Sequence, residues 1–192
     1  MKTKLIAIVI VAGMMFFSAC SNAHKTDADA AIKSAQTSYA AVADEANEYV
    51  PDQSKDVQAA IQSAKDSFDK GDYEAADDAS KTLAGKIQDL TKAKDAKKAD
   101  LTAQWNDLSG SIPGLVTEDQ KKVDALTKRH KLPKETGDNF ASAKQSWADA
   151  SAAFASGKLP DAVAKATEAK TKLTDVQTAL GTKPKAMAEP NS

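Results

Sequence analysis

Cysteine, arginine and histidine are nearly missing from this chain of 192 residues. The single cysteine, Cys20, excludes any disulfide within one chain, so the fold is held by packing alone. The two histidines, His24 and His130, lie far apart in sequence and leave no ligand set for a zinc site, which takes three or four Cys, His or carboxylate groups. Arg129 is the only arginine, so bidentate readout of phosphates or bases has almost nothing to work with. Lys and Arg together number 26 against 27 Asp and Glu, a net charge of −1, which excludes a strongly basic nucleic-acid binder. Aromatic residues are 5%, so the core must be built from aliphatic side chains and alanine.

Groups for catalysis are equally scarce. The carboxylate pairs Asp77-Asp78 and Glu118-Asp119 have no apolar sequence around them to raise a pKa, and they read as solvated helix faces. No strand-turn-helix elbow surrounds a serine, and no histidine is placed to serve as its base. Gly110 and Gly114 flank a proline rather than forming a phosphate loop. His24 falls in a short polar stretch near the start, and His130 falls at a helix end, where a cation favours the dipole. The sequence predicts no catalytic residue, metal or cofactor.

What is present begins with the leader. Lys2 and Lys4 precede an uncharged apolar run from Leu5 to Phe17, too short to span a bilayer, which needs about 20 residues. The run ends in Phe17-Ser18-Ala19-Cys20. In this order of segments the chain resembles a bacterial lipoprotein precursor, with Phe17 where the lipobox pattern prefers leucine. The resemblance implies a signal peptide over 1–19, cleavage before Cys20, and acyl chains on Cys20 that anchor the protein to a membrane. Two or more chains suffice for stable anchoring. By the same resemblance Ser21 favours the outer membrane in a Gram-negative host, on its periplasmic face. Residues 20–27 then read as the lipidated cysteine and a short tether.

The mature chain reads as helix throughout, an all-α fold of about six helices. Apolar positions recur at threes and fours: Ile32, Ala35, Tyr39, Val42, Ala46 and Tyr49; Val57, Ile61, Ala64 and Phe68; Ala76, Ser80, Leu83, Ile87 and Leu90. Leu101, Trp105, Leu108 and Ile112 continue that spacing. Val123 and Leu126 predict a short helix opened by a capping box at Thr117-Glu118-Asp119-Gln120, after a break at Gly110 to Gly114. Phe140, Ala143, Trp147, Ala150 and Phe154 mark another helix, and Val163, Ala166, Leu173, Val176 and Leu180 the last. Pro51 and Pro133 fit helix starts, and Gly71 and Gly157 fit C-caps. Residues 181–192 carry two prolines and no stripe and read as a disordered tail.

A shift of 86 residues aligns Ile61 with Trp147, Phe68 with Phe154, Gly71 with Gly157, Ala76 with Ala162 and Leu90 with Val176. The predicted organisation is two related antiparallel three-helix units, 28–109 and 117–180, joined by one long helix from about Tyr73 to Ser109. The middle of that helix, with Lys94 and Lys97, is expected to be solvated. The Gly71 and Gly157 turns resemble those of tetratricopeptide hairpins, and the alanine-rich helices resemble domains of bacterial envelope lipoproteins. Neither resemblance carries functional residues across.

Lys121, Lys122, Lys128, Arg129, Lys131 and Lys134 form a basic cluster able to meet an acidic partner, anionic lipid or the cell wall. The functional expectation is a membrane-anchored, non-catalytic helical scaffold that binds an envelope protein or the wall. The alternative is a helical bundle that holds a small apolar ligand between helices, in an enclosed pocket lined by Trp105 and Trp147. An enzyme is the remote third reading.

Overall fold

The computed structural model describes residues 22–181. The expected signal peptide over 1–19, Cys20, Ser21 and the expected disordered tail over 182–192 lie outside the described residues. Within them the chain is all α-helical and contains no strand. Seven helices follow in order: α1 Asn22–Ala40, α2 Ala43–Tyr49, α3 Pro51–Asp69, α4 Tyr73–Lys81, α5 Leu83–Lys128, α6 Lys134–Ala155 and α7 Leu159–Ala179.

Packing divides the chain into two compact units. One holds the residues up to Val42 together with Lys55–Gln88, and the other holds Ala43–Ser54 and the residues from Asp89 onward. These units differ from the contiguous segments 28–109 and 117–180. Residues 43–54 and 89–109 join the second unit because Tyr49, Leu101, Trp105 and Leu108 belong to the same apolar cluster as Phe140, Val163 and Leu173.

In the first unit α1 packs on α4, and Ala28, Ile32, Ala35, Val57, Ile61, Ala64, Ala76, Leu83 and Ile87 are buried. In the second unit α6 packs closely on α7. Ala143, Ala150, Ala162, Ala166 and Ala169 are completely buried there, and such small side chains let two helix backbones approach.

The two glycine turns are built alike. Gly71 has φ +83° and Gly157 has φ +78°. The Gly71 N–H donates to the Phe68 carbonyl and the Asp72 N–H to the Ser67 carbonyl; the Gly157 N–H donates to Phe154 and the Lys158 N–H to Ala153. This left-handed helix ending needs a residue that tolerates positive φ, which glycine does at no steric cost. Buried positions also recur at the 86-residue shift, with Ser54, Val57, Ala64, Ala76, Leu83, Ile87 and Leu90 matching Phe140, Ala143, Ala150, Ala162, Ala169, Leu173 and Val176. The two phenylalanines differ: the Phe68 ring meets Tyr73 edge-on at 5.2 Å, whereas Phe154 stacks on Trp105.

Several local expectations are corrected. Residues 22–27 are not a tether, because α1 begins at Asn22. The first stripe is split by a turn at Ala41-Val42 into α1 and α2. The long helix does not start at Tyr73: Thr82 interrupts it, capping α4 before α5 begins. Gly110 to Gly114 is no break either, since α5 runs through Pro113 for 46 residues. A proline inside a helix costs about 3 kcal/mol. Here Leu108 and the fully buried Ile112, with Leu115 and Val116 packed against the same cluster, outweigh that cost. Thr117 is accordingly no N-cap; its hydroxyl donates back to the Pro113 carbonyl at 2.8 Å. Pro133 is the N-cap of α6 and Pro160 lies in the first turn of α7.

Candidate functional site

The predicted basic cluster lies wholly in the second unit. Lys121 and Lys128 are exposed on α5, and Arg129 and Lys131 are exposed in the turn to α6. Lys122 is half-buried and pairs with Glu118 at 2.7 Å, and Lys134, first residue of α6, pairs with Asp138 at 2.6 Å. The turn therefore gathers Lys128, Arg129, Lys131 and Lys134, while Lys121 and Lys122 stand about 10 Å back along the helix. His130 occupies the same left-handed position as the two glycines, with φ 53°. Its N–H donates to the Thr127 carbonyl and the Lys131 N–H to Leu126, so the third turn repeats the bonding of the other two.

Polar groups that the sequence assigns to solvent are buried at three places. Lys94 is only 7% exposed, and its ammonium lies 2.6 Å from Glu45 and 2.7 Å from Asp95. Glu45 bridges to Lys98 as well, at 2.6 Å. Hydrogen bonds from Lys94 and then Lys98 hold the Glu45 carboxyl down at about 2. Burial works against the charge on Lys94, but the bonds to Asp95 and Glu45 outweigh it and keep its pKa above that of ordinary lysine. Lys97 is exposed as expected.

In the first unit, Asp77 is buried and its carboxylate accepts from His24 at 2.9 Å and from Lys81 at 3.1 Å. Burial pushes that carboxyl up, and the two hydrogen bonds overcome it and lower the pKa. At the 86-residue shift Asp77 aligns with Val163. Lys25 lies over the Tyr73 ring at 5.2 Å, so His24 and Lys25 both seat the start of α1 on α4. His24 is thus a structural contact rather than part of a tether.

Asp119 is the third. It is completely buried, and neither carboxylate oxygen has a hydrogen-bond partner. Burial drives its pKa up; the Gln177 amide of α7 and the Lys122 charge oppose the rise, and the Glu118 charge adds to it. The Gln177 amide approaches without completing a hydrogen bond to either oxygen. All three residues continue the helical stripe: Lys94 falls between Leu90 and Leu101, Asp119 between Ile112 and Val123, and Asp77 beside Ala76 and Ser80. Their spacing was the signal that could have found them, and residue type hid it.

The tryptophans pack on each other. Trp105 stacks on Trp147 at 5.7 Å and on Phe154 at 4.4 Å between ring centres. Phe154 is the one large apolar side chain exposed among the described residues. A shallow open depression where α6 turns into α7 is lined by Asp149, Ala152, Ser156, Lys158, Asp161 and Lys165, and neither tryptophan lines it. Among the described residues no three metal-ligating side chains converge, and no helix is long and apolar enough to cross a membrane.

No family model, curated protein or solved structure matches the chain. The functional reading therefore rests on its own residues.

Proposed function

We propose that the protein is a cell-envelope lipoprotein, anchored through acyl chains on Cys20, that serves as a non-catalytic helical module for binding another envelope protein or the wall. The observation that carries this reading is the order at the start of the chain. A charged n-region, an apolar run and the only cysteine are followed within two residues by a helix packed into a folded unit. The exposed cations Lys128, Arg129 and Lys131 at the α5–α6 turn are the surface offered to an acidic partner. Trp105 is buried and stacks on Trp147 and on Phe154, a packing use of these rings that favours this reading over a ligand-binding bundle. Two measurements test it. Intact mass of the membrane-bound protein should give a chain that starts at Cys20 and carries lipid. Crosslinking in the native envelope should capture a protein or wall fragment, and capture should fall when Lys128, Arg129 and Lys131 are changed to glutamate. Turnover of an envelope substrate, or recovery of a small molecule alone, would overturn the module reading.

A further inference from the structure

The start of α1 and the α3–α4 turn meet at one end of the first unit. We propose that this end is a membrane-docking surface, seated in the headgroup layer of the bilayer that holds the acyl chains, and suited to zwitterionic aminophospholipid. The proposal rests on lipidation of Cys20, as argued above.

Length sets the first constraint. Two residue steps separate Cys20 from Asn22, the first residue of α1, and they span at most about 7 Å. The headgroup layer on each side of a bilayer is itself about 5–7 Å thick. A helix that begins so close to its acyl chains has no slack with which to stand away from the lipid.

The second constraint is that this helix cannot swing free of the body. Ala28 is completely buried and Ile32 nearly so, and the His24 ring bonds to the buried Asp77 at 2.9 Å. Lys25 lies over Tyr73, and Phe68 meets the same ring from the other side of the turn. The Lys70-Gly71-Asp72 turn is therefore carried to the membrane with the anchor.

Charge at this end selects the lipid. Lys25 and Lys70 are exposed beside Asp72 and Glu74, which are exposed too. A surface with both signs complements a headgroup that has both a phosphate and an ammonium, and gains nothing from a purely anionic one. Tyr73, half-buried, has the apolar body and polar tip that suit a membrane interface.

The test uses the full lipidated chain in vesicles of phosphatidylethanolamine and phosphatidylcholine, with or without phosphatidylglycerol. Lipidation consumes the Cys20 thiol, so a thiol introduced by Lys70→Cys, or by Lys86→Cys on exposed α5 in the same unit, is the only one to label. Intact mass first establishes the lipid on Cys20. A fluorophore at position 70 should then be strongly quenched by lipids with a quencher near the headgroup, the one at position 86 should not, and phosphatidylglycerol should leave both unchanged. Equal quenching at the two positions on a chain with the correct mass overturns the docking surface and leaves the lipoprotein reading standing. Shielding of position 70 from water without quenching by lipid puts a protein there and also overturns it. A chain without lipid overturns both.

Discussion

Replacement of Asp119 by asparagine should make the protein more stable at neutral pH. The carboxyl is completely buried with neither oxygen hydrogen-bonded, and a buried polar group left in that condition costs about 1–3 kcal/mol. Ionisation adds to this, because each unit by which burial raises a pKa costs about 1.4 kcal/mol once the pH exceeds it. The carboxyl is raised in the folded state, so its contribution is most favourable below the ordinary carboxylate range and is lost as the pH rises through the folded value. Asp119→Asn keeps the shape and removes the ionisation. The amide is as short of partners as the carboxyl, so the gain comes from the ionisation alone; we expect about 1 kcal/mol or more at pH 7, seen as a rise in the urea midpoint. The fluorescence of Trp105 and Trp147, both in the same unit as Asp119, reports the transition. The gain should shrink as the pH falls, and vanish below the ordinary carboxylate range, where the parent carboxyl is protonated whether folded or unfolded. A loss of stability at pH 7, or a difference that does not change with pH, would refute the argument.

Three further outcomes follow from other residues. Glu45→Gln should lower stability at neutral pH by no more than about 1 kcal/mol, since the Glu45 side chain is 45% exposed and solvent screens it. That stabilisation is present above the ordinary carboxylate range and is lost as the pH falls toward about 2, so the variant and parent should converge in an acid titration followed by circular dichroism. Pro113→Ala restores the missing N–H in the exposed middle of α5 and should raise the melting temperature, with a gain of about 2 kcal/mol after the entropy that proline removes from the unfolded chain. Gly71→Ala and Gly157→Ala should each cost about 1 kcal/mol in urea unfolding, because a new Cβ meets no atom within 4 Å at either turn and only the left-handed backbone opposes it.

The helices were legible because their apolar residues keep the 3.6-residue period. Val57, Ile61 and Ala64, then Leu101, Trp105, Leu108 and Ile112, then Val163, Ala166, Leu173 and Val176 are all buried as the stripes predict. The two glycine turns were legible for the same local reason. Breaks were misread where packing overrides propensity: Pro113 looks like a stop, yet Ile112 beside it is completely buried and carries the helix through. Partners distant in sequence left no local trace. Lys94 finds Glu45 and His24 finds Asp77 only after the helices assemble, so side chains that look solvated in sequence become buried contacts. The basic cluster is positioned as expected along α5 and its turn, but Lys122 and Lys134 are tied to carboxylates one turn away on their own helices.

The bridge from Glu45 to two lysines has a consequence for the register of its helices. A slide of one helix along another by one turn is about 5.4 Å. Glu45 reaches Lys94 with one oxygen and Lys98 with the other, and those lysines stand one turn apart on α5. A slip toward the helix start leaves Glu45 without Lys98, and a slip the other way strands a buried Lys94 with Asp95 alone. Either slip costs what a solvent-screened pair contributes, about 1 kcal/mol or less, because the Glu45 side chain is 45% exposed. The cluster thus acts as a light peg that favours one setting of α2 against α5 over its neighbours on either side.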